Sequence, residues 1–122
     1  MLRTLLVEDN ANYRQILKDS LKDRFPAMMI EEAADGKEAL QKVETFLPHL
    51  VFMDIQLPGE NGLHLTKRIK ADHPDTLIII VTSYDLPEYR EAAFQYGASH
   101  FIAKDELNLE EIEAFVKTIA ET

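Results

Sequence analysis

The sequence of 122 residues predicts one α/β domain, a doubly wound three-layer sandwich built on a five-stranded parallel sheet. Short apolar runs alternate with longer amphipathic segments five times, and the connections between them are short. Residues 77–81 are apolar on both faces, which is typical of a central parallel strand covered by helices on both sides. Five such units favour the strand order 2-1-3-4-5, with a switch point between strands 1 and 3.

The first unit has a clear start and end for its helix. Residues 2–7 are predicted as a strand, and Asn10 is the expected N-cap of a helix over about residues 11–25. Pro26 ends that helix because proline removes a backbone donor. Its buried stripe is expected to contain apolar residues at helical spacing, namely Tyr13, Ile16, Leu17 and Leu21.

The second strand is predicted at residues 28–33, and it contains two consecutive glutamates, as an edge strand allows. Asp35 followed three residues later by Glu38 resembles a capping box, which opens a helix to about residue 46. The third strand is the unbroken apolar run Leu50–Met53. A turn-rich segment follows it, and then a helix to about residue 72.

The last two units follow the same pattern. A helix over residues 87–96 is closed by Gly97, the expected C′ residue, and a short strand follows at 99–103. Asn108 is expected to cap the final helix. The inward residues of that helix are predicted to be Ile112, Phe115, Val116 and Ile119. Four phenylalanines are expected in the core, namely Phe25, Phe46, Phe94 and Phe115.

Composition excludes several classes of function for this domain. The 22 acidic residues exceed the 13 basic ones, giving a formal net charge of -9, which argues against direct binding of nucleic acid or anionic membranes. The first apolar stretch reaches two acids before it attains signal-peptide length, and residues 77–81 are too short to span a bilayer. We therefore expect a cytoplasmic protein, with residues 1–122 forming a single domain.

Polar residues stand where the predicted strands stop, and ligands of such sheets bind beyond the carboxyl ends of the strands. These residues are Glu8, Asp9, Asp54, Thr82 and Lys104. Three carboxylates converging at one edge repel one another, so the arrangement predicts a bound cation. Hard oxygen ligands favour Mg²⁺ over Zn²⁺. The backbone carbonyl of Gln56 is expected to be a further ligand.

A site with Mg²⁺, a hydroxyl and an ammonium is suited to receiving a phosphoryl group. Asp54 is the best acceptor, because it ends a buried central strand and does not belong to an acidic pair. The glycine-containing loop behind it leaves access.

These motifs, taken in order, resemble the receiver domains of two-component response regulators, over essentially the whole chain. The matching segments are LLVEDN at residues 5–10, MDIQLPGENG at 53–62, VTS at 81–83, and GA at 97–98 leading to FIAK at 101–104. The resemblance implies a flavodoxin-like (βα)5 fold. It implies that Glu8 and Asp9 hold Mg²⁺ and that Asp54 is phosphorylated by a histidine kinase or phosphotransfer protein.

The same resemblance assigns the switch. It implies that Thr82 binds a phosphoryl oxygen, that Lys104 pairs with the phosphoryl group, and that Phe101 is the aromatic switch residue. Phosphorylation adds charge that attracts Thr82, which vacates space for the ring. Phe101 lacks the hydroxyl of the tyrosine that many members have here, so it must act by packing alone. Gln56 and Tyr84 are expected to modulate the kinetics, Tyr84 by covering the phosphoaspartate.

Lys104 is followed by Asp105, where the family usually has proline, and we expect a trans peptide bond between them. The Lys-Asp pair is familiar in receivers with a LuxR-type helix-turn-helix output domain. The resemblance predicts that the switch controls a C-terminal output domain outside this chain or a separate partner, with a monomer and a homodimer formed on phosphorylation as the two alternatives for its assembly. The chain itself is expected to be a signalling module, not an enzyme acting on an external substrate.

Three other functions compete with this interpretation. A haloacid-dehalogenase-like phosphatase would need a second aspartate two residues after the first, where this chain has Gln56. An FMN carrier of the same topology would need a Gly-, Ser- and Thr-rich first loop, which is acidic here. A degenerate receiver that acts only by docking is disfavoured by the five intact pocket residues.

Overall fold

The computed structural model describes residues 2–120, which alternate between strands and helices as predicted. The strands of the main sheet are β1 (Arg3–Val7), β2 (Met29–Ala33), β3 (Leu50–Met53), β4 (Leu77–Thr82) and β5 (His100–Ala103). The helices are α1 (Ala11–Arg24), α2 (Gly36–Phe46), α3 (Gly62–Asp72), α4 (Pro87–Gln95) and α5 (Leu109–Ala120). A 3-10 turn, Lys104–Glu106, follows β5. Predicted and observed boundaries differ by one or two residues.

All the neighbouring strands of the main sheet are parallel, in the order β2-β1-β3-β4-β5. This is the predicted 2-1-3-4-5 topology, and β2 with its two glutamates lies at an edge. The loop after β3 contains a small antiparallel hairpin of two-residue strands, Gln56–Leu57 and Glu60–Asn61, which the sequence pattern did not predict. The carboxyl ends of the five parallel strands form one edge, where the polar strand-end residues lie.

The predicted helix caps are present. The side chain of Asn10 accepts a hydrogen bond from the Tyr13 N–H, and that of Asp35 accepts one from the Glu38 N–H. Glu38 in turn accepts from the Ala34 N–H, one residue before the cap, which closes a variant of the capping box. Asn108 accepts from two N–H groups of α5. Gly97 has a φ of 104°, as a C′ glycine should.

Two apolar clusters cover the two faces of the sheet. One contains buried residues of α2, α3 and α4, and the other contains buried residues of α1 and α5. Successive residues of β4 alternate between them, so that Ile78 and Ile80 face the first cluster and Ile79 and Val81 face the second. This arrangement confirms the three-layer sandwich. None of the helices within residues 2–120 combines the length and apolar character needed to cross a bilayer.

Two predicted core residues are exposed. Ile16 is 64% exposed, because α1 presents Leu17 to the sheet and Ile16 lies about 100° around the helix from it. Phe94 is 46% exposed for the same reason, since its neighbour Ala93 is the buried residue of α4. Both expectations were wrong because helical spacing alone does not fix the rotation of a helix on the sheet.

Candidate functional site

The parallel ladders place Glu8 and Asp54 side by side, each one residue beyond the end of its strand. The Glu8 N–H donates to the Ala33 carbonyl, and the Asp54 N–H donates to the Val7 carbonyl, both at 3.0 Å. Because these bonds prolong the β1–β2 and β1–β3 pairings, the strands fix the position of both acids. The predicted juxtaposition at the switch point between β1 and β3 is present.

Three carboxylates meet at this edge. One carboxylate oxygen from each of Glu8, Asp9 and Asp54 lies within 4.8 Å of the others. Glu8 and Asp54 are only 4% and 5% exposed, whereas Asp9 faces solvent. The cluster joins two buried carboxylates to one that is open to water, which suits a hard cation that keeps part of its hydration shell.

One oxygen of Asp54 is buried without a partner. Asp54 Oδ1 accepts no hydrogen bond from the described residues, although it is shielded from solvent. A buried carboxylate oxygen is normally paired, so Oδ1 is open to a partner that the described residues do not supply. The three carboxylates together are hard oxygen donors, and they fit a Mg²⁺ ion held by Glu8, Asp9 and Asp54.

Lys104 supplies the positive charge of the site. Its Nζ lies 2.6 Å from Glu8 Oε1 and 3.2 Å from Asp54 Oδ2. Lys104 follows β5, so the ion pairs connect this edge strand to the ends of the interior strands β1 and β3. The predicted convergence of Lys104 with the acids is present. The peptide bond between Lys104 and Asp105 is trans, as expected, and none of the peptide bonds within residues 2–120 is cis.

The two buried carboxylates, Glu8 and Asp54, outnumber the single ammonium of Lys104. The pKa values of both Glu8 and Lys104 lie above their usual values. Burial is the main cause that raises the pKa of Glu8, and the charge of Asp54 adds to it, although Lys104 and the Asn10 N–H act in the opposite direction. Burial alone would lower the pKa of Lys104, but Glu8 and Asp54 outweigh it and raise that pKa. A further cation would relieve this excess of negative charge.

The switch residues predicted from the sequence lie on the neighbouring strands β4 and β5. Thr82 is fully buried, and its Oγ1 accepts a hydrogen bond of 3.2 Å from the Tyr84 N–H. Phe101 is 4% exposed and packs in the cluster that contains α4, opposite Ile80 in the strand register. The Arg90 guanidinium lies over the Phe101 ring, 4.8 Å from its centroid. The aromatic ring thus occupies an inward position.

The two residues predicted to modulate kinetics lie in loops. Gln56 is exposed and pairs with Asn61 in the small hairpin after Asp54. The Tyr84 ring is 45% exposed and packs edge-on against Tyr89, with the ring centroids 6.4 Å apart. The Gln56 carbonyl as a metal ligand and the Tyr84 ring as a cover for the site stay predictions.

Three residues contribute to the site in ways that the sequence patterns did not indicate. The Asn10 N–H donates to Glu8 Oε2 at 2.9 Å. Lys104 Nζ lies 4.5 Å from the centroid of the Tyr13 ring. Gly62 packs so closely on the loop after β3 that an added Cβ would lie 1.9 Å from the Asp54 carbonyl oxygen. A helix cap, a core aromatic residue and a glycine that begins a helix carry no sequence signal for such roles.

A family model described as the response regulator receiver domain matches residues 4–117. The chain is 36% identical over 104 residues to the protein-glutamate methylesterase/protein-glutamine glutaminase of Geobacillus kaustophilus (strain HTA426), covering 84% of this chain and 30% of that protein. It is 34% identical over 119 residues to the oxygen regulatory protein NreC of Staphylococcus carnosus (strain TM300), covering 97% and 54%. The chain thus spans about half or less of the length of these curated relatives.

Solved structures have the same fold. A LuxR-family two-component response regulator from Aurantimonas sp. SI85-9A1 superposes with a TM-score of 0.85 at 30% identity, covering 98% of this chain and 85% of the other. The response regulator TrrA from Thermotoga maritima, in complex with Mg(2+)-BeF, gives a TM-score of 0.83 at 33% identity, covering 97% and 98%. Both similarities extend over nearly all of the chain.

Proposed function

The chain belongs to the response regulator receiver domain family, and on that premise we propose that residues 1–122 act as one phosphoacceptor domain. Asp54 accepts a phosphoryl group from a histidine kinase or a phosphotransfer protein in a reaction that depends on Mg²⁺. The domain then changes conformation and controls an output domain or a partner.

The buried, unpaired oxygen of Asp54 is the observation that carries this proposal. Lys104 lies on Oδ2, which leaves Oδ1 as the free nucleophile. In the transfer, a bond forms between this oxygen and phosphorus, and the bond between phosphorus and the donor histidine nitrogen breaks. The electron pair of the broken bond stays on the imidazole, which takes up a proton from solvent. The product is an aspartyl phosphate.

The neighbouring residues stabilise the charge of this transfer. Glu8, Asp9 and Asp54, together with the Gln56 backbone carbonyl, are the residues that would hold Mg²⁺, which supplies neutralisation of the phosphoryl oxygens. Lys104 pairs with a phosphoryl oxygen in place of its present contact with Glu8. The cluster of three carboxylates and the contacts of Lys104 with Glu8 and Asp54 support this division of roles.

Thr82 and Phe101 connect phosphorylation to shape. The Thr82 hydroxyl turns toward the phosphoryl group to bond one of its oxygens, which leaves space beside the Phe101 ring. Phe101 has no hydroxyl, so the ring reports the change by packing against α4 alone. Tyr84 lies two residues after Thr82 and shields the aspartyl phosphate from water. Tyr84→Ala should therefore shorten the half-life of the phosphorylated form, and an unchanged half-life would refute the shielding.

The partners follow from the family and from the charge. A LuxR-type output domain is supported by the Lys104-Asp105 pair and by similarity to the Aurantimonas regulator. Transcription control and DNA binding then belong to that output domain, because this acidic domain repels nucleic acid and anionic lipid. The domain acts in the cytoplasm as a signalling module that turns over no external substrate, and phosphorylation promotes a homodimer.

The test is labelling with acetyl phosphate and Mg²⁺, followed by intact mass measurement. The wild type should gain one phosphoryl group, which Asp54→Asn should not gain. Asp72→Asn, which changes an exposed carboxylate at the carboxyl end of α3, near the segment that precedes β3, should be labelled like the wild type. An unlabelled wild type would support the docking-only receiver, and equal labelling of Asp54→Asn would place the phosphoryl group elsewhere.

A further inference from the structure

We propose that Tyr13 is a positioning residue for Lys104, holding the ammonium beside Asp54 through the face of its ring. The inference rests on the proposed phosphoryl transfer and adds a residue to it. Lys104 Nζ lies 4.5 Å from the Tyr13 ring centroid, well within the distance of about 6 Å over which a cation is attracted to an aromatic face. The ammonium therefore has two carboxylates and one ring as neighbours.

A closed circuit of contacts connects Tyr13, through its backbone and its ring, to Glu8 and Lys104. The Tyr13 N–H donates to Asn10 Oδ1 at 3.0 Å, and the Asn10 N–H donates to Glu8 Oε2 at 2.9 Å. Glu8 Oε1 contacts Lys104 Nζ at 2.6 Å, and Lys104 returns to the Tyr13 ring. The cap of α1 thus places Tyr13 relative to the same carboxylate that Lys104 contacts.

The ring matters because the other contacts of Lys104 change during the proposed reaction. Glu8 would be engaged by the metal ion, and Asp54 would carry the phosphoryl group. Lys104 then shares Glu8 with the metal ion, and it meets phosphoryl oxygens where the Asp54 carboxylate was. The Tyr13 ring binds neither metal nor phosphoryl group, so it is a contact that Lys104 can keep throughout. The ring stabilises the Lys104 ammonium in a position from which the ammonium can reach the incoming phosphoryl oxygens.

Tyr13 also packs against the apolar cluster beneath α1, so its role as a core residue must be separated from its role toward Lys104. Tyr13→Phe keeps the aromatic face, whereas Tyr13→Leu and Tyr13→Met keep apolar volume without it. Tyr96→Leu is a matched control, because the half-buried Tyr96 ring lies 5.4 Å from the ammonium of Lys67, a pair outside the pocket. Urea unfolding of each variant identifies those that remain folded.

The experiment measures the rate of Asp54 labelling by acetyl phosphate at saturating Mg²⁺ over a range of donor concentrations. We expect Tyr13→Leu and Tyr13→Met to lower the rate at saturating donor about three- to ten-fold, and Tyr13→Phe and Tyr96→Leu to stay within about two-fold of the wild type. In a Lys104→Met background, Tyr13→Leu should have no further effect, because the ring then has no ammonium to position.

The outcomes separate this inference from the proposed function. A wild type that is not labelled on Asp54 refutes both. A labelled wild type with Tyr13→Leu and Tyr13→Met at the wild-type rate refutes the role of Tyr13 alone. Equal slowing by Tyr13→Phe would assign the effect to the hydroxyl, and equal slowing by Tyr13→Leu with and without Lys104 would assign it to packing. Either result overturns the role of the ring face.

Discussion

The Lys104 ammonium contacts Glu8 at 2.6 Å, so the cation of the pocket is bound to a carboxylate that is also a proposed metal ligand. Lys104 and Mg²⁺ therefore compete for Glu8, and their charges repel. Lys104→Met should tighten Mg²⁺ binding by about five-fold or more, because charges a few ångströms apart at a protein surface interact by about 1 kcal/mol or more. Isothermal titration calorimetry measures the affinity.

The matched control for this prediction is Lys67→Met, which removes an ammonium that lies against Tyr96, outside the pocket. Its Mg²⁺ affinity should equal that of the wild type. Unchanged or weaker Mg²⁺ binding by Lys104→Met would contradict the competition.

Gly62 allows the loop after β3 to approach the Asp54 backbone. An added Cβ would lie 1.9 Å from the Asp54 carbonyl oxygen, and the Gly62 N–H bonds the Ile55 carbonyl at 2.8 Å. Gly62→Ala must push this backbone apart, which should lower the free energy of unfolding by about 1 to 3 kcal/mol and slow the labelling of Asp54. Urea unfolding and intact mass measurement test the two effects.

Gly36→Ala is the control, because Gly36 likewise opens a helix but its nearest neighbour is a flexible side-chain atom, Glu60 Oε2, at 3.0 Å. This substitution should cost clearly less than Gly62→Ala. Equal costs at both positions would mean that contact with the Asp54 backbone does not decide the choice of glycine.

Arg90 covers the proposed switch ring. Its guanidinium lies 4.8 Å from the Phe101 centroid and 3.3 Å from Asp85 Oδ1. Arg90→Ala should lower the free energy of unfolding by about 0.5 to 1 kcal/mol, the usual range for an exposed cation over an aromatic ring. In a Phe101→Leu background the cost should shrink, which urea unfolding of the four-member cycle measures. Additive costs would mean that Arg90 stabilises α4 through Asp85 and does not hold the ring inward.

Residues with local signals could be predicted from the sequence. Asn10 and Asp35 precede helices and were identified as caps, and the alternation of runs fixed the strand order and hence the edge where Glu8 and Asp54 meet. The caps depend on neighbours within a few residues, and the strand order depends on the alternation of apolar and amphipathic segments along the whole chain. Both kinds of pattern can be recognised in the sequence without a structure.

Features that depend on how an element is rotated, or on pairs far apart in the chain, could not be predicted. The rotation of α1 leaves Ile16 in solvent, although its spacing fits a buried stripe. The contact between Tyr13 and Lys104 needs the side-chain directions of α1 and of the loop after β5. Gly62 reads as an ordinary turn glycine until the Asp54 carbonyl is placed beside it.

The edge strand β2 is held to α1 by ion pairs that should make stability depend on pH. Glu32 contacts Arg14 at 3.0 Å and Lys18 at 3.1 Å, and although burial acts to raise its pKa, these two cations outweigh burial and lower the pKa below the usual 4.5. A lowered pKa in the folded state means that the stabilisation is present above pH 4.5 and is lost as the pH falls through the pKa of the folded state.

Glu32→Gln should therefore lower the free energy of unfolding by about 0.5 to 1 kcal/mol near neutral pH, a modest amount because the pairs are partly exposed. The difference in the free energy of unfolding between Glu32→Gln and the wild type should shrink as the pH of the urea unfolding experiments falls below 4.5. Glu91→Gln is the control, because it removes an exposed acid that has no ion pair in the described part of the chain, and it should change the free energy of unfolding little. A cost of Glu32→Gln that stays constant into acid would show that shape and not charge holds β2 to α1.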